Sequence, residues 1–590
     1  MTVIDAESAR RTPLARSEGQ RTSKDPASES AFDRRSRLDK GTESMHLIRK
    51  LGHVICGMAI AATALVGAAP ADPASAAPVA VGAPGPLPRA QTIQNDSFWK
   101  DTDGNLIASQ GGGVFKFGDT YYWYGVHYAE ADLYAVSPTR KHPRATFASI
   151  RVYSSKDLAN WEFENEVADR STPLAIPPSK DVSGDAFSRM ASLDDAGWVG
   201  RMGVVYNEVT HKYVLMTQMS TTFDTNGKTN GGVLFLESDS PTGDFTYANL
   251  QTQIPGVLYQ GTGDQTVFTD DDGNDYLVFS NQSGRNHTYV ARIDPSDSLS
   301  VEPAVEVSYN AAGREGNAMF KANGHYYIAS SDLHGWNSSA THVIKSAGDD
   351  PQGPYGPETV MAGTEADYSH VTQSGFFLTV HGRKTDTVIY AGDRWSEFAW
   401  NGTGYNQWVP LSFDEDEPVF NSLSSWRLDA RTGRWAVGRD NNFVLNPDFE
   451  ADRVPVTTVT GWTTAVGDDS PSTQFVSNPT PAGNGTRHAL KLGNPAGFAG
   501  GVSQQDSIPG GAYTLSLSAK TTPGLDTARV RITDARGKET ALDLLAAGSS
   551  WTKVASEPIK LRPGNVTITV EATAAAGGTL SVDGLSLARS

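Results

Sequence analysis

Gly118-Asp119-Thr120-Tyr121-Tyr122-Trp123 is a polar turn that runs straight into an aromatic-rich strand. The same order of residue types returns in His211-Lys212-Tyr213-Val214-Leu215 and in Asp271-Asp272-Gly273-Asn274-Asp275-Tyr276-Leu277. It returns again in Asn323-Gly324-His325-Tyr326-Tyr327-Ile328 and Lys384-Thr385-Asp386-Thr387-Val388-Ile389-Tyr390. Asp, Asn and Gly suit the backbone angles of hairpin turns, and Tyr, Val and Ile suit strands. Units of several short strands that recur every ~50–90 residues predict propeller blades, and five copies predict five. No long stretch has a 3.6-residue period, so few helices are expected. A β-sandwich or a β-helix with chance likeness among its hairpins is the alternative.

Outward from this region the composition changes twice. Near Asn441 the chain becomes rich in Thr, Val, Ala and Gly and poorer in Tyr. Alternating strands such as Tyr513-Thr-Leu-Ser-Leu-Ser-Ala519 predict one antiparallel sandwich of the jelly-roll kind. Upstream, residues 78–90 are Pro/Ala/Gly-rich and read as a linker. Before them a basic segment from Met45, an apolar run and the small residues Ala74-Ser75-Ala76 follow in the order of a secretory signal. An uncut membrane anchor is the other reading of that run. Residues 1–44 lack apolar periodicity and read as disordered, with Met45 the expected start. The expected organisation is therefore a 1–44 extension, a signal at 45–77, a linker at 78–90, an all-β five-bladed propeller at 91–440 and a β-sandwich module at 441–590. Five hundred and ninety residues are too many for one core in any case.

Composition excludes several classes. A formal charge of −18, with no long Lys/Arg run, argues against a nucleic-acid partner. The single cysteine, Cys56, lies in the apolar run, so the mature chain would hold no disulfide and no zinc-binding CxxC. A secreted, extracellular monomer without stable membrane association is expected.

Three polar interruptions of the strand pattern are candidates for chemistry. A glycosidase needs a carboxylic acid at the leaving oxygen and a second group that activates water or attacks the sugar. Glu315, in Gly313-Arg314-Glu315-Gly316-Asn317, sits between small residues and precedes a strand, and could face a channel with a raised pKa. Its other reading is a surface carboxylate paired with Arg314. Asp264, in Gly261-Thr262-Gly263-Asp264-Gln265, is either a second inward carboxylate or a turn cap. Gln373 follows Tyr368-Ser-His370-Val-Thr and reads as a hydrogen-bond partner for a sugar, with His370 structural.

Together these segments resemble glycoside hydrolase family 43, nearest to its exo-β-1,3-galactanase branch, over about residues 94–413. The resemblance rests on Asp101-Thr-Asp-Gly-Asn105, Gly111-Gly112-Gly113, the 118–125 strand, Tyr153 to Trp161, Arg314 to Lys321 and Gly392-Asp393-Arg394-Trp395. It implies a five-bladed propeller and an inverting hydrolysis in which Glu315 is the general acid and Asp264 tunes its pKa. The family's usual Asp base aligns with Gly111 and is missing. The branch assigns that role to a Gln, here Gln373, as base or as the residue that positions water, although a neutral amide has little proton affinity. Glu365 and Asp367 are other base candidates. The resemblance further implies substrate contacts from Gln110, Arg201, Asp393 and Arg394, with Trp336 either a sugar platform or a buried Trp. One departure stands out: the branch carries a Glu where this chain has Gly200, which bears on sugar preference.

The carboxy-terminal region resembles CenC-like carbohydrate-binding modules through Asn446-Pro447-Asp448-Phe449-Glu450, Trp462 and Val582-Asp583-Gly584-Leu585. Trp462 and Trp551 read as core residues there, with sugar-binding aromatics the other reading. The expected activity is exo-hydrolysis of β-1,3-galactan or arabinogalactan, with α-L-arabinofuranose, β-D-galactofuranose and β-xylose as alternative sugars. The competing class is a non-catalytic carbohydrate-binding propeller. No Rossmann glycines, P-loop or HExxH occur, so no cofactor is expected. A structural calcium, which the resemblance raises, stays open.

Overall fold

The five quoted repeats are the hairpin turns and second strands of five consecutive antiparallel sheets, each of four strands in simple meander order. The first holds Gln110–Phe117, Thr120–Tyr128, Phe147–Ser155 and Glu162–Asp169; the second Trp198–Asn207, Lys212–Ser220, Gly231–Ser238 and Thr246–Gln251. The third holds Thr262–Thr269, Asp275–Asn281, His287–Arg292 and Val305–Tyr309; the fourth Glu315–Ala322, His325–Ser331, Thr341–Lys345 and Thr359–Val360. The fifth holds Gln373–His381, Asp386–Trp395, Gly404–Asp414 and Glu417–Phe420. The computed structural model describes residues 87–590 except 141–144, 179–185, 222–230, 259–260, 396–403, 453, 481 and 483–484. The 1–44 and 45–77 segments, Cys56 and most of the 78–90 linker therefore lie outside the described residues.

First strands pack against one another in ring order: first sheet on second, second on third, third on fourth, fourth on fifth, and fifth on first. Side chains alternate between the two faces of a strand, yet the middle strands are buried almost throughout (Leu277, Val278 and Phe279 all at 0%). Both faces of each sheet are thus covered by neighbours. A large aromatic cluster of Trp123, Trp161, Trp408 and Trp426, all at 0% exposure, joins the first and fifth sheets. Burying ~200 Å² per ring at ~25 cal/mol/Å² gives each about 5 kcal/mol of transfer free energy. The amino-terminal strand Gln91–Gln94 pairs with Ser425–Asp429, after the fifth sheet. Asn95 fixes this join: its Nδ2 donates to the carbonyls of Trp408 and Leu423, both at 2.7 Å. Among the described residues helix is limited to short pieces such as Ala131–Val136, and none is long and apolar enough to cross a membrane.

Residues after Asn441 form two facing antiparallel sheets. One is ordered Thr463–Val466, Phe498–Ile508, Gly564–Ala574, Leu525–Thr533, Glu539–Asp543. The other is built around Thr579–Arg589 and Gly511–Thr521. A single apolar core lies between them, with alternate residues such as Val566, Ile568 and Val570 pointing in. Trp462 is in that core, 5.6 Å from the Phe449 ring. Trp551 is half-buried, its Nε1 donating to the Ala482 carbonyl and Lys520 lying over its ring.

Candidate active site

Each of the five first strands slips register near its start: at Gln110/Gly113, Gly200/Met202, Thr262/Gln265, Glu315/Ala318 and Ser374/Phe376. A bulge of this kind twists the strand and re-aims the side chains beside it. The result is a ring of strand ends that turns Arg201, Asp264, Glu315 and Gln373 toward one another, although up to 172 residues separate them in sequence. The backbone has been bent to fit. Arg201 is left-handed (φ +52°), a conformation that costs ordinary residues free energy and tends to mark functional sites. Gly316 is left-handed too, and a Cβ there would stand 2.4 Å from the Ser374 carbonyl oxygen, so only glycine fits beside Glu315. Ahead of Gln373, Tyr368 to Val371 are four successive left-handed residues (φ +52° to +58°). Left-handed turns cost ~1–2 kcal/mol per residue. Hydrogen bonds hold this one: His370 N donates to Asp367 Oδ1 (2.9 Å), Ser369 Oγ to the Ser339 carbonyl (3.0 Å), and Thr372 Oγ1 to the Ser369 carbonyl (2.6 Å).

Arg201, 3% exposed, is the hub. Its Nη2 donates to Asp264 Oδ2 (2.8 Å) and Gln373 Oε1 (2.7 Å), and its Nη1 to Asp393 Oδ2 (3.1 Å). Gln373 passes the chain on, its Nε2 donating to Glu315 Oε1 at 2.7 Å. Asp393, opposite Gln373 in the fifth sheet's register, also accepts from Asn406 Nδ2 (2.8 Å) and from the Gly111 N–H (3.2 Å). Arg285, in the hairpin loop of the third sheet, spans the two acids: Nη1 to Asp264 Oδ1 at 3.3 Å and Nε to Glu315 Oε2 at 3.4 Å.

Three buried carboxyls thus share two guanidiniums, and their proton affinities separate. Burial, and then the Asp264 charge, push Glu315 up to about 7 against the opposing pull of Arg285 and Arg201. Burial raises Asp393 to about 6, with Arg201 resisting. Burial also works against the Asp264 anion, but Arg201, Arg285 and the Gly316 N–H (3.0 Å) outweigh it and hold that pKa below the ordinary value. Of the three carboxyls, Glu315 keeps its proton to the highest pH. That is an arrangement of one proton donor beside a fixed anion, the pattern that acid catalysis requires.

Glu315, Asp264, Gln373, Arg201 and Asp393 come together. Arg314 does not pair with Glu315; adjacent strand residues face opposite ways, and Arg314 holds Asp332 (2.9 Å) and Glu358 (2.6 Å) instead. Arg394 follows the same alternation. Asp393 points to the cluster, whereas Arg394 turns away to Asp96 (3.7 Å) and Asp448 (3.5 Å). Gln110 is buried at the start of the first sheet with its Oε1 lacking a partner, and it makes no hydrogen bond to the cluster. Trp336 is half-buried against Trp198 (5.2 Å) and Trp395 (4.7 Å), and the Trp395 ring lies 5.5 Å from the Arg201 guanidinium. His370 is enclosed by Asp96 (3.2 Å), Asp367 (3.6 Å) and Ser422 (2.7 Å), a structural position. Glu365 is exposed, and Asp367 caps the left-handed turn, so neither joins the cluster.

Sequence reasoning missed Arg285, Asn406 and Trp198. Trp198 explains the departure at Gly200: a Cβ there would meet the Trp198 ring at 2.7 Å, so the indole fills the space a longer side chain would need. As to calcium, among the described residues no group of three or more His, Cys, Asp or Glu could hold a metal ion.

No curated protein matches the chain. Solved structures it resembles include an exo-β-1,3-galactanase from Phanerochaete chrysosporium with galactose, 20% identical over 83% of this chain and 100% of that one (TM-score 0.48). Another, from Clostridium thermocellum, is 23% identical over 70% of this chain and 81% of that one (TM-score 0.47). The model of the glycosyl hydrolases family 43 matches residues 114–405. That stretch contains Arg201, Asp264, Glu315, Gln373 and Asp393, so the whole cluster lies where the chain is similar to the glycosyl hydrolases of family 43.

Proposed function

We propose that the protein is a secreted, exo-acting and inverting glycosidase that removes terminal sugars from a plant-type polysaccharide, β-1,3-galactan or arabinogalactan first among them. In this reading the five sheets are the blades of a propeller spanning 91–440, and 441–590 is an appended carbohydrate-binding module of the CenC-like kind. The observation that carries it is Glu315: a buried acid with a pKa near 7, gripped by Gln373 and set beside the anionic Asp264. Glu315 protonates the leaving oxygen as the glycosidic C–O bond breaks, water adds to the opposite face of the sugar and releases its proton to solvent, and Glu315 is reprotonated from solvent. Gln373 acts by position. Its carbonyl oxygen is already committed to the permanent cation of Arg201, which favours the ordinary amide over a proton-accepting tautomer. Arg201 and Asp393 then hold the geometry, and no cofactor takes part. The module raises the local concentration of polymer ends.

The indole in place of a side chain at Gly200 favours a second choice of sugar. A wall of Trp198 and Trp336 reads a ring face rather than a hydroxyl, which keeps α-L-arabinofuranose, β-D-galactofuranose and β-xylose as alternatives. Product analysis on arabinogalactan, arabinan and xylan decides the sugar, and NMR of the first product formed gives its anomeric configuration. Binding without released sugar, unaltered by Glu315→Gln, would make the protein a carbohydrate-binding propeller instead.

A further inference from the structure

A cleft of about 250 Å³ separates the rim of the fifth sheet from the carboxy-terminal sandwich, and none of Arg201, Asp264, Glu315, Gln373 and Asp393 lines it. Its two walls differ in chemistry. The side before Asn441 supplies aromatic rings, Phe98 lying edge-on to Tyr134 (5.5 Å) and tilted against Tyr405 (4.7 Å), with Arg394 over Tyr405 at 5.4 Å. The sandwich supplies hydrogen-bonding groups: Asp448, Glu450, Asp452 and Thr486. A sugar ring has a C–H face for the first wall and a hydroxyl rim for the second. We propose that this cleft is a second sugar-binding site, built jointly by both domains, for a neutral sugar unit of the polymer whose end lies at Glu315.

Charge argues for a neutral ligand. Asp96, Asp448 and Asp452 line the cleft with Arg394 and Arg487, leaving no positive surplus to hold a uronate. Burial, then the neighbouring Asp448, push Glu450 up to about 8. Its Oε1 accepts from the Arg487 and His488 N–H groups (2.7 Å each), so a carboxyl protonated at neutral pH has its other oxygen left to meet a hydroxyl. Position ties the cleft to the catalytic cluster. Trp395 forms part of its wall while its ring faces Arg201 and Trp336, and Asn337, next to Trp336, lines it too. Trp395 thus borders both the cleft and the cluster.

The inference rests on the glycosidase reading, and the experiment separates the two. The full chain carrying Glu315→Gln is titrated calorimetrically with β-1,3-galactotriose, α-1,5-arabinotriose, β-1,4-xylotriose and trigalacturonate, and wild-type turnover of each is measured in parallel. Two sites per chain are expected for one neutral trisaccharide, and none in the cleft for trigalacturonate. Phe98→Ala should abolish one class of site and keep the other, which a site on the sandwich alone would not do. Should that variant melt early, Asp448→Asn on the facing wall serves in its place, with at least a tenfold weakening of the same class expected. A single site for every neutral probe, two sites indifferent to both substitutions, or tighter binding of trigalacturonate overturns the proposal. Two sites without any hydrolysis would overturn the glycosidase reading and leave this one standing.

Discussion

Asp264→Asn isolates the electrostatic heart of the site. Asp264 is the second cause of the raised Glu315 pKa, after burial, and Arg285 touches both carboxyls at 3.3 and 3.4 Å. Two charges ~6 Å apart at an effective dielectric of ~20 repel by about 2.8 kcal/mol, or ~2 pKa units at 1.36 kcal/mol per unit. Removing the anion stabilises ionised Glu315, because Arg201 and Arg285 then face it with less competition. The sign is therefore downward: an acid poised at about 7 falls toward ~5. A general acid works only while protonated, so kcat/KM for the wild type should decline above pH ~7, and the decline should begin about two units lower in the variant. The assay is kcat/KM between pH 4 and 9 on two aryl glycosides, one with a dinitrophenolate leaving group and one with a poor leaving group. The poor substrate needs the proton and should show the displaced limb; the activated one should show it weakly. An alkaline limb that stays near 7 in Asp264→Asn would refute the assignment of Glu315 as the acid tuned by Asp264.

Four further outcomes are expected. Glu315→Gln should lower kcat/KM by ~10²–10⁴ on the poor leaving group and much less on dinitrophenyl glycosides, as read by initial rates. Gln373→Glu sets a carboxylate at the 2.7 Å contact with Glu315, so the alkaline limb should move upward, the opposite of Asp264→Asn. Arg201→Met leaves Asp264 and Asp393 buried without their shared cation and should cost about 3–5 kcal/mol in denaturant unfolding. His370, raised to about 10 by Asp96 and Asp367 against the opposing effect of burial, adds stability that is fully present below pH 6.5 and is lost as pH rises through about 10. Melting temperatures should therefore fall between pH 7 and 10 in the wild type and stay flatter in His370→Gln.

Much of the architecture was legible because turn chemistry is local. Polar turns running into Tyr-, Val- or Ile-bearing strands marked the first hairpin of each four-stranded sheet, and the loss of aromatics at Asn441 marked the sandwich. The site was legible in its identities and poorly so in its geometry. Asp264 and Gln373 stand at bulged strand ends, and a bulge depends on cross-strand register, which no short window contains. Arg285 belongs to a Ser-Gly-Arg-Asn turn that resembles any other, and its value comes from reaching across to the next sheet. Strand alternation also separates Arg394 from Asp393. Two neighbours in a strand face opposite ways, and once Asp393 was placed inward Arg394 had to point out.

The glycine at position 111, where the resemblance implies a carboxylate base, is a consequence of what now surrounds it. A Cβ on Gly111 would lie 3.3 Å from the Arg201 amide nitrogen and 3.6 Å from the Trp395 ring, on backbone already left-handed (φ +58°). Asp393 accepts the Gly111 N–H and brings to that spot a carboxylate carried by another sheet. The positions 111 and 200 are therefore crowded by the residues that organise the remaining cluster, Arg201 and Trp395 at one and Trp198 at the other. A carboxylate restored by a single substitution would meet left-handed backbone at 111 and the Trp198 ring at 200, and would add a fourth acid to a cluster with two cations.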